Sequence, residues 1–330
     1  FVERNLKKVV KAHSKAVNTF FKTPDYNLIS GGRDGTICFF DASLNKTRSI
    51  DLREIHKDIF RFGVKSVCLN GDGDRLLVGT DGSQIFELSA SSGEDLHDGP
   101  IVSGHCKDEL WGLAENPVRR EYCSVGDDGS LRVWDVATKT NRRENGFKDL
   151  GGMARAVCYD PKGEMIAVGF GGTVGRGRQK CDGEFLVLDA KTLEIIHKGK
   201  DSKEWIQCIK FSPDGKTLAI GSHDNSIYLY ECKKKFKLRA KFSKHNSFIT
   251  HFDFSADSQF LASNCGAYEL LFSDVFTGNQ IGSASSLRDT DWSSYTLTLG
   301  WPVQGIYPPE ADGTDVNSAC RSHAGQVIAT

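Results

Sequence analysis

A unit of three short strands recurs along this chain of 330 residues. It is clearest where Leu110-Trp111-Gly112-Leu113 is followed by Tyr122-Cys123-Ser124-Val125, then by Asp127-Asp128-Gly129, and then by Leu131-Arg132-Val133-Trp134-Asp135. Each apolar run has strand length, and Asp-Gly is the dipeptide that tight hairpins favour. The pattern returns around Asp34-Gly35 in residues 27–41, around Asp81-Gly82 in residues 75–88, and around Asp224-Asn225 in residues 216–230. Turn aspartates at 34, 81 and 128 are 47 residues apart, and the one at 224 follows after 96, about two further periods. Such a period accommodates four strands and their loops. A fourth unit occupies residues 154–159, 164–168 and 185–189, its turn replaced by a Gly-rich insert over 169–183. A sixth runs from His245 through 249–254, 260–263 and 269–272, and a seventh begins near Asp315 and reaches Gln326-Val327-Ile328-Ala329.

One unit alone leaves both faces of its small sheet bare, so units must stack face to face in a ring. The expected fold is all-β: a WD40 β-propeller of six recognisable blades plus a truncated seventh. It is expected to span residues 1–330, to be incomplete at its C-terminus and to form part of a tandem propeller. Residues 1–12 are expected to supply the last strand of a preceding blade. The third unit carries the fullest signature, with Gly104-His105 ahead of its first strand, Ser124 on the second, Asp128 in the turn and Trp134-Asp135 closing the third. In WD40 repeats, residues of these types in these places form a hydrogen-bonded network that ties the strands together. The first unit matches with His13, Ser30 and Asp34, but Phe40 replaces the Trp and has no N–H to donate. Asp224 takes the turn position of the fifth. His, Ser and Asp also compose a hydrolytic triad. Their recurrence with the repeat favours the structural role, there is no G-x-S-x-G elbow, and no catalytic residue is expected.

Charge narrows the partners. Lys+Arg is 42 against Asp+Glu 43, and this balance lacks the basic excess of a dedicated nucleic-acid binder. The 10 cysteines include no C-x-x-C pair, and those in apolar runs, such as Cys68 and Cys158, are expected to be reduced, buried thiols. No spacing indicates a metal, and no cofactor is expected. No apolar run is long enough to cross a membrane, and no membrane partner is expected. Gly215-Lys216-Thr217 ends like a phosphate loop, yet Lys210 stands where that loop needs glycine, so it reads as a hairpin turn. The insert Gly171-Gly172-Thr173-Val174-Gly175-Arg176-Gly177-Arg178-Gln179-Lys180 misses the G-x-G-x-x-G spacing and reads as a surface loop. Its Arg176, Arg178 and Lys180 are candidate contacts to an acidic partner. So are Lys233, Lys234 and Lys235, which lead the densest basic stretch with Lys237, Arg239 and Lys241. That stretch should lie on a turn and an outermost strand, where lysines also block edge-to-edge pairing.

Several segments go beyond the generic repeat. Asp108-Glu109-Leu110-Trp111-Gly112-Leu113, Gly221-Ser222-His223-Asp224-Asn225-Ser226-Ile227-Tyr228-Leu229-Tyr230 and Ser247-Phe248-Ile249-Thr250-His251 resemble the C-terminal propeller of the echinoderm microtubule-associated protein-like family. So do Asp291-Trp292-Ser293-Ser294-Tyr295-Thr296-Leu297-Thr298-Leu299-Gly300 and Asp312-Gly313-Thr314-Asp315-Val316-Asn317. Residues 289–315, outside any repeat, are the most specific part of the likeness. Leu271-Phe272-Ser273-Asp274 departs from it, since the family more often ends that strand in Trp-Asp. The resemblance implies two packed propellers in a non-catalytic scaffold that binds tubulin or microtubules, and other proteins through the propeller faces. It implies a cytoplasmic, microtubule-cytoskeletal setting that extends to the axoneme or cilium. The repeats alone also fit a generic adaptor, such as a ubiquitin-ligase substrate receptor or a trafficking scaffold.

Overall fold

The computed structural model describes residues 8–25, 27–56, 61–147, 150, 152–172, 181–303, 316–322 and 324–330. The chain divides into two compact units, Phe1–Cys106 and Lys107–Thr330.

The first unit holds two antiparallel sheets. One is β1 (Val17–Lys22), β2 (Leu28–Gly32), β3 (Thr36–Phe40) and β4 (Lys46–Asp51), paired in chain order. A single helical turn, α1 (Leu52–Ile55), follows, with Asp51 capping its start by accepting from the Arg53 N–H at 3.0 Å. The other sheet is β5 (Val64–Leu69), β6 (Arg75–Thr80) and β7 (Ile85–Ser89). Residues 8–12 carry no strand.

The second unit repeats the arrangement. Four-stranded sheets are formed by β8 (Leu110–Glu115) with β9 (Glu121–Gly126), β10 (Leu131–Asp135) and β11 (Asn141–Asn145), and by β12 (Ala154–Tyr159) with β13 (Met165–Phe170), β14 (Glu184–Asp189) and β15 (Ile195–Lys200). Another joins β16 (Ile206–Phe211), β17 (Thr217–Ser222), β18 (Ile227–Glu231) and β19 (Lys237–Phe242). A three-stranded sheet follows in β20 (Ile249–Phe254), β21 (Phe260–Cys265) and β22 (Leu270–Asp274), and a two-stranded one in β23 (Cys320–Arg321) and β24 (Ile328–Ala329). The all-β blades follow the sequence repeat.

Burial explains the sequence pattern. Every residue of the inner strand β17 is buried, whereas the outer strand β15 is exposed along most of its length. Inner strands therefore read as continuous apolar runs, because both faces of their sheet are covered. The apolar cores of the second unit lie between successive sheets: Leu131 and Val133 pack with Val157, Val168 and Leu186, and Leu229 packs with Phe252, Phe254 and Leu261. Burying each such side chain contributes roughly 1.5–3 kcal/mol. Close approach requires glycine at two equivalent places. A Cβ on Gly169 would stand 2.5 Å from Ile206 of the next sheet, and one on Gly221 would stand 2.8 Å from Ile249. Each of the six larger sheets also shifts register at the second residue of its first strand, as between Val17 and Thr19 and between Ile249 and His251. A bulge at that point bends the innermost strand.

Two sequence expectations need correction. Cys68 is exposed and Cys158 is half-buried. Strand side chains alternate, and on β5 the inward position belongs to Val67, so its neighbour faces out. The insert in the fourth repeat does not replace the turn. Asp182-Gly183 directly precedes β14, Gly183 takes φ +77°, and Asp182 Oδ1 accepts from the Gly172 N–H at 2.8 Å. The extra residues enter ahead of an intact Asp-Gly pair.

Candidate interaction surfaces and blade ties

The residues expected to tie the first blade meet there. His13 Nε2 lies 2.7 Å from Ser30 Oγ, and His13 Nδ1 lies 3.1 Å from Asp34 Oδ1. Asp34 also accepts from the Ser14 N–H at 2.7 Å and the Thr36 hydroxyl at 2.8 Å. An ionised carboxylate only accepts, so Nδ1 carries a proton toward Asp34. Burial works to raise the Asp34 pKa, but the hydrogen bonds from Thr36, Ser14 and His13 outweigh it and hold the carboxyl well below its ordinary range.

The sixth repeat builds the same tie from residues that the sequence analysis did not single out. His245 Nε2 lies 2.7 Å from Ser263 Oγ, and Nδ1 lies 3.3 Å from Glu269 Oε2. As Ser14 does for Asp34, the residue after the histidine donates its backbone N–H to the carboxylate, here from Asn246 at 3.0 Å. That bond, with others from Cys265, the Asn246 side chain and His245, lowers the Glu269 carboxyl to about 2. The sequence signal was a histidine ahead of a first strand, followed by a serine and an acid at slightly longer spacing. His245, Cys265 and Glu269 each bring a metal-ligand atom within 4.8 Å of the others. Those atoms are already engaged in the tie, since Cys265 Sγ donates to Glu269 at 3.1 Å.

In the fifth repeat, Ser202 takes the place of histidine. Its Oγ lies 2.5 Å from Ser222 Oγ, the Lys203 N–H donates to Asp224 at 3.2 Å, and the Tyr228 hydroxyl donates to Asp224 at 2.6 Å. In the third, Trp134 Nε1 donates to Ser124 Oγ at 2.7 Å, and Asp128 accepts from Ser130 Oγ at 2.7 Å. His105 is half-buried and belongs to the first unit, while Ser124, Asp128 and Trp134 belong to the second.

Of the candidate partner contacts, Arg176, Arg178 and Lys180 lie outside the described residues. Lys233, Lys234 and Lys235 are exposed at the turn between β18 and β19, where Cys232–Lys234 form a 3-10 turn and Lys235 takes φ +54°. Lys234 pairs with Glu231 at 3.1 Å. Arg239 on the outer strand instead turns inward to the Val275 carbonyl at 2.8 Å.

The non-repeat stretch is fastened to the last large sheet by buried polar groups. Asp253, 1% exposed, accepts from the backbone N–H groups of Ser294 at 3.0 Å and Tyr295 at 2.7 Å. Lys210 stands 3.8 Å from Asp253 and donates to Ser294 Oγ at 2.8 Å and to Thr296 Oγ1. Asn264 exchanges two hydrogen bonds with the Leu299 backbone, at 3.0 and 3.2 Å. Trp292 and Leu287 pack on Phe272 and Ala262. Phe272, one residue before the position where the resembled family more often has Trp, is thus the floor of this packing.

A row of rings that sequence reasoning missed crosses three sheets of the second unit. Trp111 meets Trp205 edge-on at 6.2 Å, Trp205 stacks on His223 at 3.6 Å, and His223 stacks on Phe248 at 4.4 Å. Burial, with the nearby Arg155 charge, lowers the His223 pKa to about 4. No helix among the described residues is long and apolar enough to cross a membrane.

Comparison with known proteins matches this architecture. The family model described as the echinoderm microtubule-associated protein second beta-propeller matches residues 110–330, and a WD domain, G-beta repeat, matches residues 4–41. Echinoderm microtubule-associated protein-like 2 of Rattus norvegicus is 35% identical over 98% of this chain and 47% of its own length. The -like 1 protein of Homo sapiens is 34% identical over 97% of this chain and 37% of its own, and the human -like 3 protein is 34% identical over 96% and 33%. The chain therefore spans half or less of the length of these relatives. With the blades, their ties and the fastened non-repeat stretch, the match over residues 110–330 places this chain in the echinoderm microtubule-associated protein family of WD40 β-propellers.

Proposed function

We propose that this chain is a non-catalytic scaffold that contributes to the binding of microtubules through tubulin, in the cytoplasm and on the microtubule cytoskeleton. Family membership over residues 110–330, including the non-repeat stretch, carries this reading. The relatives are named as microtubule-associated. The geometry supports a scaffold over a hydrolase. Ser30 and Ser263, the hydroxyls of the triad-like groups, are 1% and 0% exposed, so no substrate reaches them. Their histidines and carboxylates fasten strands. Exposed Lys233, Lys234 and Lys235 suit contact with an acidic protein surface. The test is co-sedimentation of the full-length protein with taxol-stabilised microtubules, together with capture of soluble tubulin. Absence from the pellet and failure to retain tubulin, alongside recovery of a tubulin-free complex, would replace this reading with that of a general adaptor.

A further inference from the structure

One end of the ring row borders an open hollow of about 630 Å³, lined chiefly by Asp108, Glu109, Trp111, Asp127, Arg155 and Trp205, all in the second unit. The geometry points to a docking site for the arginine side chain of a basic partner segment. Among the described residues, three carboxylates line the hollow against one guanidinium. Lys107 lies 3.7 Å from Asp108, but both are nearly half exposed, and water screens such a pair. Asp127 is 4% exposed, and its Oδ1 accepts no hydrogen bond among the described residues. It faces Arg155 Nη1 at 3.2 Å as an ion pair, which offsets that guanidinium and leaves the exposed carboxylates of Asp108 and Glu109 to carry the negative charge of the wall.

The aromatic walls select the cation. Arg155 lies 4.2 Å from the Trp111 ring and 5.1 Å from the Trp205 ring, which shows that these indoles accept a planar guanidinium. Its own place is fixed by donation to the Gly171 carbonyl at 3.0 Å and to Met153 Sδ at 3.2 Å. Trp111 remains 39% exposed. Arginine suits this setting better than lysine, since it combines a planar stacking face with a fork of donors for carboxylates. The charge preference is opposite to that of the lysine turn at 233–235, so the site serves a different surface from the acidic one proposed above.

The experiment titrates the full chain into a short fluorescein-labelled peptide alternating arginine with glycine and serine, and into the same peptide with citrulline at every arginine. Citrulline keeps the shape and removes the charge. Saturable binding of the arginine peptide is expected, about tenfold tighter than the citrulline peptide and weakened by salt. Asp108→Asn with Glu109→Gln, both on exposed side chains, should reduce affinity for the arginine peptide by about tenfold with an unchanged thermal melt. Trp111→Phe should reduce it less, by keeping a smaller ring. Equal affinity for the two peptides, or wild-type affinity in the folded double variant, overturns the proposal. Neither result bears on microtubule co-sedimentation, which tests the other reading separately.

Discussion

The first and sixth repeats close the same tie with different letters. In the first, the acid is Asp34, in a turn of three residues between β2 and β3, and the side chain is 5% exposed. In the sixth, the turn between β21 and β22 has four residues, and Glu269 at its end reaches the histidine with one more methylene. Its side chain is 24% exposed. The histidine, the serine and the following backbone N–H occupy matching roles in both. What the fold conserves between its own repeats is a carboxylate at a point in space, and chain length and side-chain length trade against each other to reach it. The difference in burial makes the two ties unequal. Water can replace a lost partner of Glu269, whereas partners of Asp34 would be left dry.

The largest expected effect tests that inequality. Asp34→Ala should cost about 2–4 kcal/mol, because it leaves His13, the Ser14 N–H and Thr36 without their acceptor in a buried site. Glu269→Ala should cost about 1 kcal/mol, since the exposed side admits water. Urea midpoints followed by circular dichroism give both values, and equal costs would break the contrast. Next comes the third repeat, where the serine accepts from an indole. Trp134→Phe should cost about 1–3 kcal/mol by removing the donor to Ser124, and a melting temperature unchanged from wild type would show that this bond ties nothing.

Acid should then separate the units further. Burial lowers His223 and His251 to about 4, the charges of Arg155 and Lys210 respectively adding to the effect. A histidine whose folded pKa lies below its unfolded value binds its proton more readily when unfolded, so stability is full above about pH 6.5 and is lost as pH falls toward 4. Between pH 7 and 5.5 each of these histidines should cost the second unit roughly 1 kcal/mol, about 2–3 kcal/mol together. All 5 tryptophans lie at position 111 or beyond, so indole fluorescence reports this unit alone. A flat profile across this interval would mean that these rings are not held neutral. The smallest stability effect is expected from replacing Lys233, Lys234 and Lys235 by Gln, within about 0.5 kcal/mol, because an exposed pair such as Lys234–Glu231 contributes little. Microtubule affinity of the full-length protein should fall and become less salt-sensitive. Unaltered co-sedimentation across a salt series would remove these lysines from the contact.

Much of the architecture was legible because it repeats. The period of the Asp turns placed the sheets, and the short apolar runs on either side of those turns marked their strands. Sequence reading went astray where a local rule met a tertiary constraint. Cys68 stood in an apolar run, yet alternation on β5 turned it outward. The Gly-rich insert drew attention away from Asp182-Gly183, which kept the hairpin turn. The tie in the sixth repeat was passed over because Glu269 lies two residues further along a longer turn, and a motif compares positions where a hydrogen bond compares distances.

The linear order of residues specified the all-β class, the blade boundaries and the family likeness, because strand alternation and turn chemistry act over a few neighbouring residues and recur with each unit. Only the tertiary structure brought Asp253, Lys210 and Asn264 together around the non-repeat stretch, and Trp111, Arg155 and Trp205 around one hollow. Lys210 and Asp253 come from different sheets, as do Trp111 and Arg155, and each pair is separated by tens of residues in the chain. Their meeting depends on how sheets stack, and stacking is set by the shapes buried between them, not by any local pattern that carries the spacing of the final contact.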